Sequence, residues 1–187
     1  MSEQNTEIEK LYGLIEDLDT AMLTTRREDG RLVSRPMANQ ARAAGADLWF
    51  VTEKTSDKVH EIENDPHVNL AYYKDRTREW VSVAGTARLV EDRGKIRELY
   101  KPDWKIWFSR DGLPGDERAG TAEDPRMVLI GVSAELATWM TVNKPQPLVL
   151  LEIVKGAVTG KEPRLGDMHH AEGAALHSGP RKPEKSA

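Results

Sequence analysis

The stretch Leu48-Trp49-Phe50-Val51-Thr52-Glu53-Lys54-Thr55-Ser56-Asp57-Lys58 decides the fold of this chain. Its first four residues form a continuous run of bulky apolar side chains, which is typical of a buried strand. A polar turn follows, and then Val59 and Ile62 have the three-residue spacing of one helical face. The sequence therefore predicts a strand that leads into a short helix, with Thr55 or Ser56 as the N-cap.

This junction between strand and helix also predicts an anion site. Unpaired backbone N–H groups point outward at a helix N-terminus, and the helix dipole favours negative charge there. Lys58 adds a full positive charge, and Ser56 adds a hydroxyl group. We therefore expect a phosphate group to bind at this corner. The alternative is an ordinary capped helix whose lysine is solvated.

Composition restricts the classes of function. The chain has 187 residues, of which 39% are hydrophobic and 31% are charged, so we expect a globular domain with a sizeable core. Its formal net charge of −4 gives no general attraction to nucleic acid or anionic lipid. No apolar run approaches the ~20 residues of a membrane span, and the polar N-terminus is unlike a secretory signal. Since cysteine is absent, disulfides and thiolate metal sites are excluded. We expect a cytoplasmic protein without nucleic-acid or membrane partners.

The rest of the chain carries several strand and turn signals. Asp29-Gly30 between two strand-like runs predicts a β-hairpin, and Pro36 places its second strand at a sheet edge or a bulge. Gly85 predicts a bulge or sharp bend. Thr6 is the expected cap of the first helix. The other expected elements are helices over 7–18, 91–100 and 147–159, a helical turn over 103–108, and strands over 67–73, 80–90, 127–132 and 136–141. A strand is the alternative for 147–159.

These elements predict a mainly β protein, an antiparallel barrel decorated by helices. From residue 162 onward Pro, Gly, Lys, Glu and His dominate, so we expect a domain over 1–161 and a polar, disordered tail over 162–187. The tail holds three of the five histidines. Because a mobile segment offers no fixed ligand geometry, we predict no metal site.

Four motifs, taken in order, resemble the FMN-binding split barrel of the pyridoxamine 5′-phosphate oxidase-like proteins, and in particular its general stress protein 26 branch. They are Ser34-Arg35-Pro36-Met37, the strand over 48–52, Ser56-Asp57-Lys58, and Asn64-Asp65-Pro66-His67-Val68-Asn69-Leu70. The resemblance covers roughly residues 5–163. It implies a six-stranded antiparallel split β-barrel that pairs as a homodimer, with FMN at the interface between the two copies.

The resemblance also implies roles for individual residues. Arg35, Ser56 and Lys58 would hold the FMN phosphate, and the segment after Arg35 would run along the isoalloxazine ring. Trp139 and the segment 104–108 would reach the flavin of the partner chain. The implied cofactor-binding residues are Arg35, Pro36, Met37, Ala38, Phe50, Val51, Thr52, Ser56, Asp57, Lys58, Trp107 and Trp139. The alternative for Arg35 is a surface salt bridge, and for Met37 and Trp139 it is core packing.

The function implied by the resemblance is that of an FMN-binding general stress flavoprotein. The alternative is an FMN-dependent oxidoreductase acting on an unknown small molecule, and a deazaflavin-using relative is a third option. Asp57 stands where the oxidases proper have a basic residue, and the C-terminal region offers only Arg164 and Arg181 and no tryptophan. The C-terminal departure argues against pyridoxamine 5′-phosphate oxidase itself, whereas Asp57 would either weaken the phosphate site or turn outward on its helix and favour the helix dipole. No catalytic residue is assigned.

Overall fold

The computed structural model describes residues 3–108, 120–142 and 166–178. The helices are α1 (Glu3–Leu18), α2 (Asp57–Asn64), α3 (Arg93–Leu99) and α4 (Lys105–Phe108), with short 3₁₀ helices at Pro102–Trp104 and Gly173–Ser178. The strands are β1 (Thr20–Arg26), β2 (Leu32–Ala38), β3 (Leu48–Glu53), β4 (His67–Tyr73), β5 (Trp80–Val90), β6 (Met127–Thr141) and β7 (Asp167–Glu172). Among the described residues, no helix has the length and apolar character needed to cross a bilayer.

The strands form one antiparallel sheet in the order β2-β1-β4-β5-β6-β3, with β7 also paired to β6. The end strands β2 and β3 lie in contact, although no paired register joins them in the described part of the chain. Just beyond β2, the Gln40 backbone N–H donates to the Trp49 carbonyl at 2.8 Å. The sheet therefore curls into a barrel that is split between β2 and β3. This confirms the antiparallel barrel predicted from the elements and the split barrel implied by the resemblance.

Two groups of buried side chains stabilise this barrel. In β1, β4 and β5, alternate residues such as Leu23, Leu70 and Val83 point inward, and α1 closes the barrel with Ile8 and Ile15. A second group surrounds Trp49 on the outer side of β3. It comprises Ala43, Ala46, Trp49, Ile96, Leu99, Trp104, Phe108, Met127 and Leu129. The second group anchors α3 and the segment 102–108 next to the split.

Several sequence predictions are confirmed at the level of single elements. β4 and β5 have the predicted bounds, the Asp29-Gly30 turn joins β1 to β2, and Pro36 lies in an end strand. The first helix begins at Glu3, earlier than predicted, so Thr6 lies inside it and is not its cap. The predicted helix over 147–159 lies outside the described residues.

Two predicted strands are one strand in the structure. β6 runs without interruption from Met127 to Thr141. Its register against β5 shifts between Ala84 and Gly85, which pair with Leu136 and Ala134, so Glu135 is the extra residue of a bulge. The sequence predicted an irregularity at Gly85 but placed a break where the bulge lets the strand continue.

Residues 167–178, which were predicted to belong to a disordered tail, are folded in the structure. β7 pairs with residues 136–141 of β6, beyond the part of β6 that pairs with β3. The following 3₁₀ helix buries Leu176 completely, and the Tyr12 hydroxyl donates to the Leu176 carbonyl at 2.7 Å. The His169 ring stacks on Trp139, with ring centroids 5.2 Å apart. These tertiary contacts order a segment whose local composition favours disorder.

Candidate functional site

A cavity of about 280 Å³ lies along β2, at the split of the barrel. Its walls come from β2, from β3 and the start of α2, and from the segment 102–108. The lining residues are Pro36, Met37, Ala38, Gln40, Val51, Thr52, Glu53, Lys58, Asp103, Trp104, Trp107 and Phe108. Seven of the residues implied by the family resemblance are thus brought together: Pro36, Met37, Ala38, Val51, Thr52, Lys58 and Trp107.

Lys58 is the cation of the cavity wall, and its nearest described partner is uncharged. Its Nζ donates to the Thr52 hydroxyl at 2.9 Å, and Thr52 is in turn 3.1 Å from the Ser56 hydroxyl. Ser56 is the N-cap of α2, yet its side chain makes no capping hydrogen bond. Burial lowers the pKa of Lys58 below its ordinary value of 10.5 and the positive charge of Arg35 lowers it further, whereas the carboxylates of Asp57, Glu61 and Glu53 offset only part of this shift. The corner therefore combines a partly desolvated ammonium group with two hydroxyl groups.

Arg35 lies close to this corner but is held by an acidic partner. Its guanidinium forms an ion pair with the Glu61 carboxylate at 2.6 Å and donates to the Thr25 hydroxyl. Burial raises the pKa of Glu61, but hydrogen bonds from Thr25 and Arg35 outweigh burial, and the net pKa is lowered. Sequence reasoning missed Glu61, although its position three residues after Lys58 places both side chains on one side of α2.

The opposite wall of the cavity is aromatic. Trp104 is almost completely buried, and its indole N–H donates to the Gln40 side-chain oxygen at 3.1 Å. Trp107 is 80% exposed and Phe108 is 4% exposed, so the wall changes from buried to open within one helical turn. These aromatic residues line a cavity of their own chain, and their contribution to the flavin of a partner chain stays a prediction.

Three lining residues were missed by sequence reasoning, namely Gln40, Glu53 and Asp103. Glu53 directly follows Thr52, and Gln40 follows Ala38 by two residues. Extending each motif by one or two positions would have found both of them. Asp103 directly precedes the predicted segment 104–108, so the same extension by one position would have found it.

Other predicted residues lie away from this cavity. Phe50 and Trp139 are 0% and 1% exposed and belong to the main core. Because side chains alternate across a strand, Phe50 points away from the face that Val51 presents to the cavity. Asp57 lines a separate polar depression, which it shares with residues of the β1–β2 turn. The negative charge of Asp57 therefore lies outside the lining of the cavity.

These features define a class: an antiparallel split-barrel protein with a ligand-sized cavity along its open edge, bounded by a lysine on one wall and aromatic rings on another. The chain belongs to the pyridoxamine 5′-phosphate oxidase like family, whose model matches residues 6–164. The family predicted from the ordered motifs is confirmed.

Individual proteins are similar to this chain in sequence or in fold. Protein bli-3 of Neurospora crassa is 36% identical over 143 residues, which are 75% of this chain and 68% of the relative. The general stress protein 26 of Bacillus anthracis str. Sterne has a similar structure, with a TM-score of 0.58 and 25% identity over 71% of this chain and 92% of that one. The general stress FMN/FAD binding protein of Xanthomonas citri shares the fold, with a TM-score of 0.59 and 23% identity over 75% of this chain and 92% of that one.

Proposed function

We propose that this chain is a flavin-binding protein of the general stress type, which holds FMN in the cavity along β2. A structural relative is described as an FMN/FAD binding protein, and this supports a flavin as the class of ligand. A bound flavin supplies hydride and electron transfer chemistry. The residues of this chain supply the binding, the orientation and the electrostatic environment.

The observation that carries the proposal is the half-buried ammonium group of Lys58, which lies in the cavity wall 2.9 Å from the Thr52 hydroxyl. Burial and the charge of Arg35 lower the pKa of Lys58 even though the carboxylates of Asp57, Glu61 and Glu53 act in the opposite direction, so these carboxylates do not restore what the half-buried ammonium group loses in hydration. A phosphate dianion placed against Lys58 would offset both the lost hydration and the repulsion from Arg35. The hydroxyl groups of Thr52 and Ser56, which already contact each other, would add donors for phosphate oxygens. In this proposal Lys58, Ser56 and Arg35 hold the phosphate.

The other end of the ligand would be a flat ring system, and the remaining lining residues fit it. Met37 is an adaptable apolar side chain, and Trp104, Trp107 and Phe108 present aromatic surface to the same cavity. Gln40 places a polar side chain among them. Phe50 and Trp139 have no part in this proposal, because both side chains are enclosed in the barrel core.

We further propose that the chain forms a homodimer whose second copy covers the outer face of β1 and β2. Met22, which is 42% exposed, pairs with Pro36 across the two strands, so both side chains lie on that face. Pro36 and Ala38 are exposed and also line the cavity. A second copy packed on this face would therefore bury apolar surface and close the cavity together.

Binding of FMN is tested by titration of the purified protein, which should quench FMN fluorescence with saturation. The double variant Ser56→Ala/Lys58→Ala should weaken FMN by about 10- to 100-fold, since it removes hydrogen bonds to a charged group. Riboflavin lacks the phosphate, so its affinity should change little in the same variant. No binding at high micromolar FMN would contradict the proposal, and equal losses for both flavins would show that the phosphate lies elsewhere.

A further inference from the structure

Part of the aromatic wall of the cavity belongs to a helix that is too short to be stable on its own. α4 has only four residues. Isolated helices of this length are unstable, because nucleation costs more free energy than the hydrogen bonds of a single turn contribute. Yet α4 carries Trp107 and Phe108, two of the aromatic residues that face the cavity. The position of this wall must therefore be set by contacts from elsewhere in the chain.

The segment 120–126 supplies those contacts. Asp124 is completely buried, and its carboxylate accepts hydrogen bonds from the Gly120 N–H at 2.9 Å and from Arg126 Nη2 at 2.8 Å. The Arg126 Nε and backbone N–H also donate to this carboxylate, so the guanidinium is fixed in direction. The same Arg126 Nη2 donates to the carbonyl of Phe108, the last residue of α4.

A second contact fixes the other end of the helix. Gly120 has φ +69°, and a Cβ atom there would lie 2.9 Å from the Cα of Lys105, the first residue of α4. The backbone of the segment 120–126 thus touches α4 at its start, while Arg126 bonds the carbonyl at its end. Tyr100 holds the same loop, because its hydroxyl donates to the Gly120 carbonyl at 3.0 Å.

We propose that Arg126, oriented by Asp124, is a positioning residue that sets the aromatic wall of the cavity. Arg126 is not among the residues that line the cavity, so it acts on the ligand through Phe108 and Trp107. Where it concerns flavin binding, this inference rests on the proposed function. It makes a distinct claim, which is that Arg126 controls contact with the ring and leaves contact with the phosphate unchanged.

The test compares Arg126→Ala with wild type in two measurements. Hydrogen exchange of the ligand-free protein should show loss of protection in residues 102–108, because the carbonyl bond at the end of α4 is gone. Titrations should show FMN and riboflavin weakened by the same factor, about 10-fold, because both flavins lose the same aromatic contacts when the wall is displaced. Flavin fluorescence in the bound state should be less quenched, since the tryptophan is displaced.

Arg97→Ala is the matched control. Arg97 pairs with Glu123 in the same segment at 2.5 Å, but this pair is exposed and does not reach α4. The control should leave exchange in 102–108 and both affinities unchanged. Gly120→Ala is a second route to the same effect, since its Cβ would displace Lys105 while Arg126 remains. It carries the comparison if Arg126→Ala does not fold.

Unchanged hydrogen exchange in residues 102–108 would overturn the proposal, because Arg126 would then have no effect on the position of α4. A loss of affinity confined to FMN would also overturn it, because Arg126 would then act on the phosphate. Unchanged affinity for both flavins would overturn it as well. If wild-type protein binds no flavin, the proposed function fails, and exchange in 102–108 alone decides whether Arg126 positions the wall.

Discussion

At the scale of single residues, the site is built on charges whose partners are set by tertiary structure. Lys58 was identified from its position at a helix N-terminus, and the structure places it in the cavity wall. Arg35 was identified from the family motif, but its ion pair with Glu61 could not be read from the sequence. Arg35 and Glu61 are 26 positions apart, and only the packing of α2 beside β1 and β2 brings them together.

Glu61→Gln should make stability less dependent on pH. The folded-state pKa of Glu61 is lowered, so its contribution is fully present above the ordinary value of 4.5 and is lost as pH falls through the folded-state pKa. Urea unfolding at pH 7 should show a loss of about 1.5–3 kcal/mol in the variant, the range for hydrogen bonds to a charged group. Below pH 4.5 the difference between variant and wild type should shrink.

Glu63→Gln is the control for this experiment, because Glu63 lies on the same helix and is exposed beside His60. It should leave the free energy of unfolding almost unchanged at both pH values. Parallel pH profiles for wild type and Glu61→Gln would show that the Arg35–Glu61 pair does not contribute to stability.

At the scale of elements, prediction succeeded where the local pattern and the tertiary environment agree. β4 and β5 alternate apolar and polar residues and have the predicted bounds, since one face of each is buried. β7 was missed because its sequence, Asp-Met-His-His-Ala-Glu, lacks an apolar face. Its order comes from pairing with β6 and from Leu176, which no local pattern reports.

Leu176→Ala tests whether the segment 167–178 stabilises the barrel. Leu176 is 0% exposed and packs in the main core, so truncation should cost about 2–5 kcal/mol in urea unfolding. Met168→Ala lies in the same segment at 59% exposure and should change stability by about 0.5 kcal/mol or less. Equal small effects for the two variants would mean that the segment does not contribute to the core.

At the scale of the whole molecule, the proposed dimer would complete the site. Light scattering after size exclusion should give about 42 kDa, twice the chain mass of 21.0 kDa. Met22→Glu should shift the mass to that of one chain and weaken FMN, because a charge on the outer face of β1 opposes burial there. Met168→Glu, an exposed substitution on β7, should change neither quantity. A single-chain mass for the wild type would refute the proposed interface.

The whole fold was more predictable than the site. Short alternating strands, one tight hairpin turn and ordered motifs were enough to predict an antiparallel split barrel. The cavity depends on contacts between distant parts of the chain, such as Trp104 with Gln40, which are 64 positions apart. Such pairs leave no periodicity in the sequence, so no local pattern shows that the segment 102–108 lines one cavity together with β2 and β3.

The position of the cavity has a consequence for how the molecule stays closed. β2 and β3 are the first and last strands of the hydrogen-bonded order, and both contribute lining residues. A ligand that contacts the lining residues of both strands would bridge the two end strands of the sheet. Because such a ligand binds only the folded protein, its binding would raise the free energy of unfolding of the whole barrel, and its removal would lower it.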